Sequence, residues 1–365
     1  MTSTLLENVR RLTPEIQALA VQIEHDRALP ASLVEQLHAA GVFRSVAPRA
    51  LGGLELAPSE LVGVLEELGY ADGSVGWCSM IGAVTGVALG YLSEDTAAAL
   101  LDEPRFLIAG VAAPLGRATP VEGGYRVSGR WPFASGCRDA TWLVGGAMLA
   151  PGSTVRMMIM KATDVIVHDT WDVAGLRGTG SHDIEAVDVL VPAARTFSLA
   201  EAPVQPGAVY AAPPFSVLSF GIAAVALGIA RAAITEFADL ARRKRNPFTQ
   251  GTIAAKPAVR TALAEAEALR ASGLAHLCAE LREPGTAVAD RARLRLAVAT
   301  ATRNAARAVD LVYNAAGGSA VYSAGPLQRH FRDVHVATQH AMVSSDVVET
   351  AGAVLLGEPV RTAHL

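Results

Sequence analysis

Apolar residues recur through the first hundred positions with a helical period. Leu33, Val34, Leu37 and Val42 share one stripe, and Gly41 supplies a stop signal. A second stripe, Leu61-Val62, Val64-Leu65 and Leu68, follows Ser59, which is expected to cap that helix. Between residues 105 and 198 the period shortens. FLIAGVAA, YRVSG, TWLVGGAML, TVRMMIM, DVIVHD and EAVDVLVP are separated by Gly, Pro, Asp and Ser, which predicts a compact β unit. In EAVDVLVP, Val187, Val189 and Val191 alternate with Ala186, Asp188 and Leu190, predicting one buried face. The Pro-rich EAPVQPGAVYAAPPF reads as a linker. Long helical patterns fill the rest, broken at LREPGTAVAD. The predicted class is α+β, mostly α: a helical domain over 1–104, a β domain over 105–198 and a helical domain over 199–365.

A length of 365 residues agrees with two or three subdomains. The net charge of -4 offers no field for nucleic acid or an anionic membrane. The one dense basic run, Arg242-Arg243-Lys244-Arg245, suits a solvated helix C-terminus. Three scattered cysteines without CxxC spacing argue for reduced thiols, and the N-terminus lacks signal-peptide character, so a cytoplasmic location is expected. Residues 74–93 and 215–230 approach membrane-spanning length. They are rich in Gly, Ala and Ser, and the second continues into Arg231 and Glu236, so both are expected to be buried helices.

Several stretches carry candidate chemistry. GRWPFASGCRDATW, residues 129–142, holds two of the four tryptophans and poses a choice between an aromatic strand and a seat for a flat ring. In GLRGTGSHDIEAVDVLVP, Gly175, Gly178 and Gly180 lead into a strand rather than a helix, which argues against a dinucleotide fingerprint. Arg177, Thr179 and Ser181 remain candidate donors in that turn. His330, His335 and His340 are spaced by five, and on a helix each step turns the side chain by about 140°, so no metal site is expected. A histidine beside a pocket is still a good proton donor or acceptor. No G-x-S-x-G elbow supports a serine hydrolase.

Taken together, these stretches resemble the acyl-CoA dehydrogenase superfamily, and within it the flavin-dependent monooxygenases that take reduced flavin from a separate reductase. RALPASLVEQLHAAGVFRSVAPRALGGLELAPSELVGVLEELGYADGSVGW resembles the N-terminal helical segment, GRWPFASG the flavin-bearing strand, and GLRGTGSHDIEAVDVLVP the loop closing on the same ring. YNAAGGSAVYSAGPLQRHFRDVH resembles the signature of the last helical domain. Dehydrogenases of this superfamily commonly carry a catalytic Glu soon after the Arg-Asp pair, where this chain has Ala341 in Gln339-His340-Ala341-Met342. A methyl group cannot act as a base, which disfavours α,β-dehydrogenation.

The resemblance implies a central β-barrel or sandwich, a C-terminal four-helix bundle, and oxygenation of a small aromatic, heteroaromatic or amine substrate. The cofactor implied is reduced FMN or FAD, with O2 as co-substrate through a C4a-hydroperoxyflavin. A separate NAD(P)H:flavin reductase is the implied partner. Ser135 and His340 are the implied catalytic residues. Trp131, Phe133, Ser135, Gly136, Arg177, Thr179 and Ser181 are implied to hold the ring, and Trp77 to line the substrate pocket. Arg245 and Phe248 resemble an Arg-x-x-Phe that reaches a phosphate in a neighbouring subunit, and Gly317-Gly318-Ser319 the turn at the nucleotide end. These imply a homo-oligomer, by family norm a tetramer. The alternatives are an FAD-containing dehydrogenase or oxidase, and a helical scaffold that has lost its flavin.

Overall fold

The computed structural model describes residues 4–245, 251–282 and 285–361, so Phe248 lies outside the described residues. Five helices open the chain: α1 (Thr4–Asp26), α2 (Ala31–Ala40), α3 (Pro58–Ala71), α4 (Gly73–Thr85) and α5 (Glu94–Leu101). Gly41 ends α2 in the left-handed region at φ 93°, as the stop signal predicts. Ser59 is not a cap. Pro58 occupies the first helical position of α3, and the Glu60 carboxylate accepts from the Ala57 N–H at 3.1 Å.

Among the described residues, seven strands form one sheet: β1 (Ile108–Val121), β2 (Gly124–Ala134), β3 (Trp142–Leu149), β4 (Val155–Lys161), β5 (Ile166–His168), β6 (His182–Pro192) and β7 (Thr196–Phe197). Their order is β5-β6-β2-β1-β3-β4-β7, antiparallel except for the β1/β3 pair. The simple alternation expected across β6 fails. Val187 and Leu190 are exposed while Ala186 and Val191 are buried. The β2/β6 register shifts here and Asp188 takes φ 53°, so a bulge reverses the phase of the side chains.

The segment after β7 is not a loose linker. It contains α6 (Ala208–Ala211), and the buried Tyr210 hydroxyl donates to Val46 O at 2.6 Å. The C-terminal helices are α7 (Pro214–Arg243), α8 (Pro257–Arg282), α9 (Val288–Ala316), α10 (Pro326–Ala337) and α11 (Ser345–Leu355). The first four pack together as a bundle, and α11 lies against α9. Two helical stretches, Gly73–Tyr91 and Phe215–Arg243, are long and apolar enough to span a membrane, yet their most apolar windows are 89% and 83% buried inside the fold.

Glycines set the depth at which α4 sits. A Cβ at Gly76 would come within 2.7 Å of the Gly69 backbone, and one at Gly69 within 2.6 Å of Val225 O. Close contact of α3 with both α4 and α7 therefore requires hydrogen at these positions, and it carries Trp77 into the interior.

Candidate active site

The 129–142 stretch does hold a seat for a flat ring, and the ring is the protein's own. The Trp131 side chain is fully buried, with Nε1 donating to Gly146 O at 2.8 Å. Its indole fills space left by Gly116, Gly129 and Gly145, where added Cβ atoms would stand 2.4 to 3.0 Å from it. Trp131 therefore offers no face to a cofactor, which corrects the expectation from sequence. Strand alternation turns it into the sheet core. Trp142 is core as well.

Beyond Trp131 the β2/β6 register shifts again, and Phe133 takes φ 65° with 69% of its surface exposed. Its ring meets Trp171 edge-on at 6.2 Å. The chain then turns at Gly136, φ 69°, whose N–H donates to Thr179 O. This turn brings Ser135 inward against Trp77 and the 176–181 loop.

There the hydroxyls form a line whose direction is determined. Thr179 Oγ1 donates to Leu176 O at 2.8 Å, because a carbonyl can only accept. The 2.7 Å bond between Thr179 and Ser181 must then carry the Ser181 proton, and the 2.7 Å bond between Ser181 and Ser135 the Ser135 proton. Trp77 Nε1 donates to Ser135 Oγ at 3.1 Å. Ser135 is left with one accepting lone pair and no free proton. All four side chains are buried. Burial raises the thiols of Cys78 and Cys137, the latter to about 11, so both remain protonated supports that donate to Thr179 O and Gly180 O.

The loop is anchored from the bundle. Asp333 on α10 accepts from the Leu176 N–H at 2.6 Å, holding Leu176 at φ 50°. Burial, with Asp72 nearby, pushes the Asp333 carboxyl up to about 7. Arg177 is committed to its own loop, donating to Val173 O at 2.6 Å and Asp172 at 3.2 Å. The structure thus brings together Trp77, Ser135, Gly136, Thr179 and Ser181, but directs the Arg177 guanidinium away from them.

The histidines do not share one helix, since α10 stops at Ala337. His330 is buried and pushed down to about 3. His335 pairs with Asp310 at 2.9 Å. His340 stands beyond the helix end, its ring 5.9 Å from that of Trp77, and its Nδ1 accepts from the Met342 N–H at 3.2 Å. With Nδ1 occupied as an acceptor, the neutral ring carries its proton on Nε2. Burial, then the Arg295 charge, pushes His340 down to about 4, so it is neutral at physiological pH. Among the described residues no cluster of His, Cys, Asp and Glu could hold a metal.

Arg295 and Asp333 were missed from sequence. Arg295 carried a signal: it lies on the same stripe of α9 as Ala292, Val298, Ala299 and Thr302, all buried. A charge on an apolar stripe is informative where an exposed one is not. At the other end of the bundle, Arg245 follows α7, and its neighbour Lys244 donates to Ala316 O at 2.9 Å. That bond sets Arg245 near the Gly317-Gly318-Ser319 turn. Gly317 and Gly318 are exposed, with open space where a Cβ would stand.

Sequence models of the acyl-CoA dehydrogenase N-terminal and C-terminal domains match residues 2–100 and 220–345. The chain is 31% identical over 356 residues to indole-3-acetate monooxygenase of Acinetobacter baumannii, covering 93% of this chain and 91% of that protein. It is 31% identical to the FADH(2)-dependent resorcinol hydroxylase oxygenase component of a Rhizobium species, over 97% and 94% of the two chains. The crystal structure of 3-HSA hydroxylase from Rhodococcus sp. RHA1 superposes with a TM-score of 0.92 at 25% identity, over 99% and 98% of the chains. The chain belongs to the acyl-CoA dehydrogenase superfamily and, within it, to the oxygenase components of two-component flavin-dependent monooxygenases.

Proposed function

We propose that this oxygenase hydroxylates a small aromatic or heteroaromatic compound, using reduced flavin delivered by a separate NAD(P)H:flavin reductase. The observation that carries the reading is the directed line from Trp77 through Ser135 and Ser181 to Thr179. Its free acceptor fits a reduced flavin, because Ser135 retains an accepting lone pair for an N–H such as that at N5. Phe133 adds exposed aromatic surface beside the same loop. Bound reduced flavin would supply the electrons that activate O2.

The protein's own residues have separable tasks. Ser135 would accept a hydrogen bond from such an N–H and is fixed in that role by Trp77 and Ser181. His340, neutral with its proton on Nε2, donates a hydrogen bond toward the reacting oxygen or the substrate. Acting as a base instead would require Nδ1 to leave the Met342 N–H. The dehydrogenase alternative lacks a base at the position where the superfamily commonly carries its Glu, since Ala341 opens the turn after His340. Relatives named for indole-3-acetate and resorcinol support a ring substrate. Three cysteines free of disulfides fit a cytoplasmic location. A homo-oligomer, taken by family norm as a tetramer, belongs to the same reading.

The test supplies the purified chain with reductase-generated FMNH2 or FADH2, 18O-labelled O2 and a panel of phenols, indoles and aryl acids. Incorporation of one 18O atom into a ring product is expected. Complete diversion of reducing equivalents to hydrogen peroxide across the panel, or oxidation of an acyl thioester without oxygen incorporation, would overturn the reading.

A further inference from the structure

We propose that Arg295 is the counter-ion of a substrate carboxylate, so that the compound hydroxylated is an aryl alkanoic acid rather than a neutral aromatic. Arg295 is the one arginine buried to this degree among the described residues, at 2% exposure. No carboxylate pairs with it there, and its single hydrogen bond runs from Nη1 to Phe215 O at a long 3.4 Å. Its Nε is fully buried without a partner. The Ser216 hydroxyl, one residue on from Phe215, is also buried and unpartnered.

Burying a guanidinium without an acid is costly, and an apolar residue of the same volume would serve the fold better. The charge persists nonetheless: burial pushes Arg295 down only to about 10, so it is protonated at neutral pH. Retaining such a group implies an anion that enters the site. The free edge of the guanidinium says which kind. Nη1 points to Phe215, leaving the edge that carries the Nε and Nη2 N–H groups. Two parallel N–H groups match the two oxygens of a carboxylate, whereas a phenolate offers one oxygen. A phosphate would add a second negative charge where Arg295 is the one charge acting on His340.

The position suits recognition at a distance from the chemistry. The turn at Ala341–Val343 packs on α9, and the Arg295 charge reaches His340, whose ring lies beside Trp77. A carboxylate held at Arg295 leaves the ring of the same molecule to reach Trp77 and His340. This inference rests on the reading of Trp77, Ser135 and His340 as the reaction site.

The experiment measures binding by calorimetry, without flavin or reductase. Indole-3-acetate, phenylacetate and 3-phenylpropanoate are each compared with their primary amides on wild type, Arg295→Met and Arg295→Lys. Wild type is expected to prefer at least one acid over its amide by about 30-fold or more, the scale of a buried charge pair. Arg295→Met should reduce acid binding to the amide level while leaving the amide unchanged, and Arg295→Lys should keep part of the preference. Arg295→Met should also melt at or above the wild-type temperature, because a buried unpaired charge is gone; this shows that it folds. No acid preference in any wild-type pair, including no binding at all, or a preference that survives in Arg295→Met, overturns the proposal. Failure of ring oxygenation with the acid preference intact would sink the proposed reaction and leave this inference standing.

Discussion

Ser135 sits where two demands meet, since it accepts from Trp77 and donates to Ser181. Ser135→Ala removes both bonds and leaves the Trp77 N–H buried without a partner, which should cost about 1–3 kcal/mol of stability. Its larger expected effect is on coupling. Hydrogen peroxide should replace hydroxylated product by about tenfold or more, read as product per reduced flavin consumed. A variant that stays fully coupled would refute the role given to this hydroxyl.

His340 makes a prediction about pH. It protonates in the fold only near pH 4, against 6.5 unperturbed. Between those values the unfolded chain holds the proton and the native site does not. Its share of stability is therefore complete above about pH 6.5 and is lost as pH falls toward 4. Coupled hydroxylation should stay level from about pH 8 to about pH 5, because the Nε2 donor persists throughout. An acid limb near 6.5 that disappears in His340→Gln would show that the ring acts in another protonation state.

At the scale of elements, the 176–181 loop depends on α10. Asp333→Ala strands the Leu176 N–H in the interior and should cost about 1–3 kcal/mol, whereas Asp333→Asn keeps an accepting oxygen and should match wild type. The Asp333 carboxyl is raised from 3.8 to about 7. Its contribution is present below about pH 4 and is lost as pH rises through 7, so the Asn variant should gain on wild type in alkaline buffer. Urea unfolding of the three proteins decides it, and equal losses for Ala and Asn would remove the anchoring role. The helices and strands themselves were legible from period, because a stripe or an alternation is written in consecutive residues. The bulge at Asp188 was not: it depends on how β6 pairs with β2, a non-local match that no window of the sequence contains.

Across the whole molecule, the residues named for one cofactor divide between two places. Trp77 and Ser135 lie beside the first half of α7, where Met80, three residues beyond Trp77, stands against Gly221. Arg245 and the Gly317-Gly318-Ser319 turn lie past its end. From Gly221 to Arg243 the helix rises about 33 Å, too far for both groups to hold the same ring and phosphates within one chain. A site completed by a second copy, in the homo-oligomer proposed above, would resolve the division. Exposed Val321 and Tyr322, at 65% and 69%, offer apolar surface beside that turn. The expected outcome is an oligomeric mass in solution, with Arg245→Ala weakening reduced-flavin affinity about tenfold without altering the mass. A monomer, or unchanged affinity, would contradict it.

The sequence alone determined the order of helices, strands and helices, and the family, because these follow from local period and ordered motifs. The tertiary structure decided which aromatic is available. Trp131 and Phe133 are two residues apart on one strand, where alternation should put them on the same face. A register shift between them buries the first among three glycines and exposes the second. Tertiary structure also oriented the hydroxyl protons and exposed the missing partner of Arg295. Such properties belong to neighbours distant in the chain, and only packing brings those neighbours together.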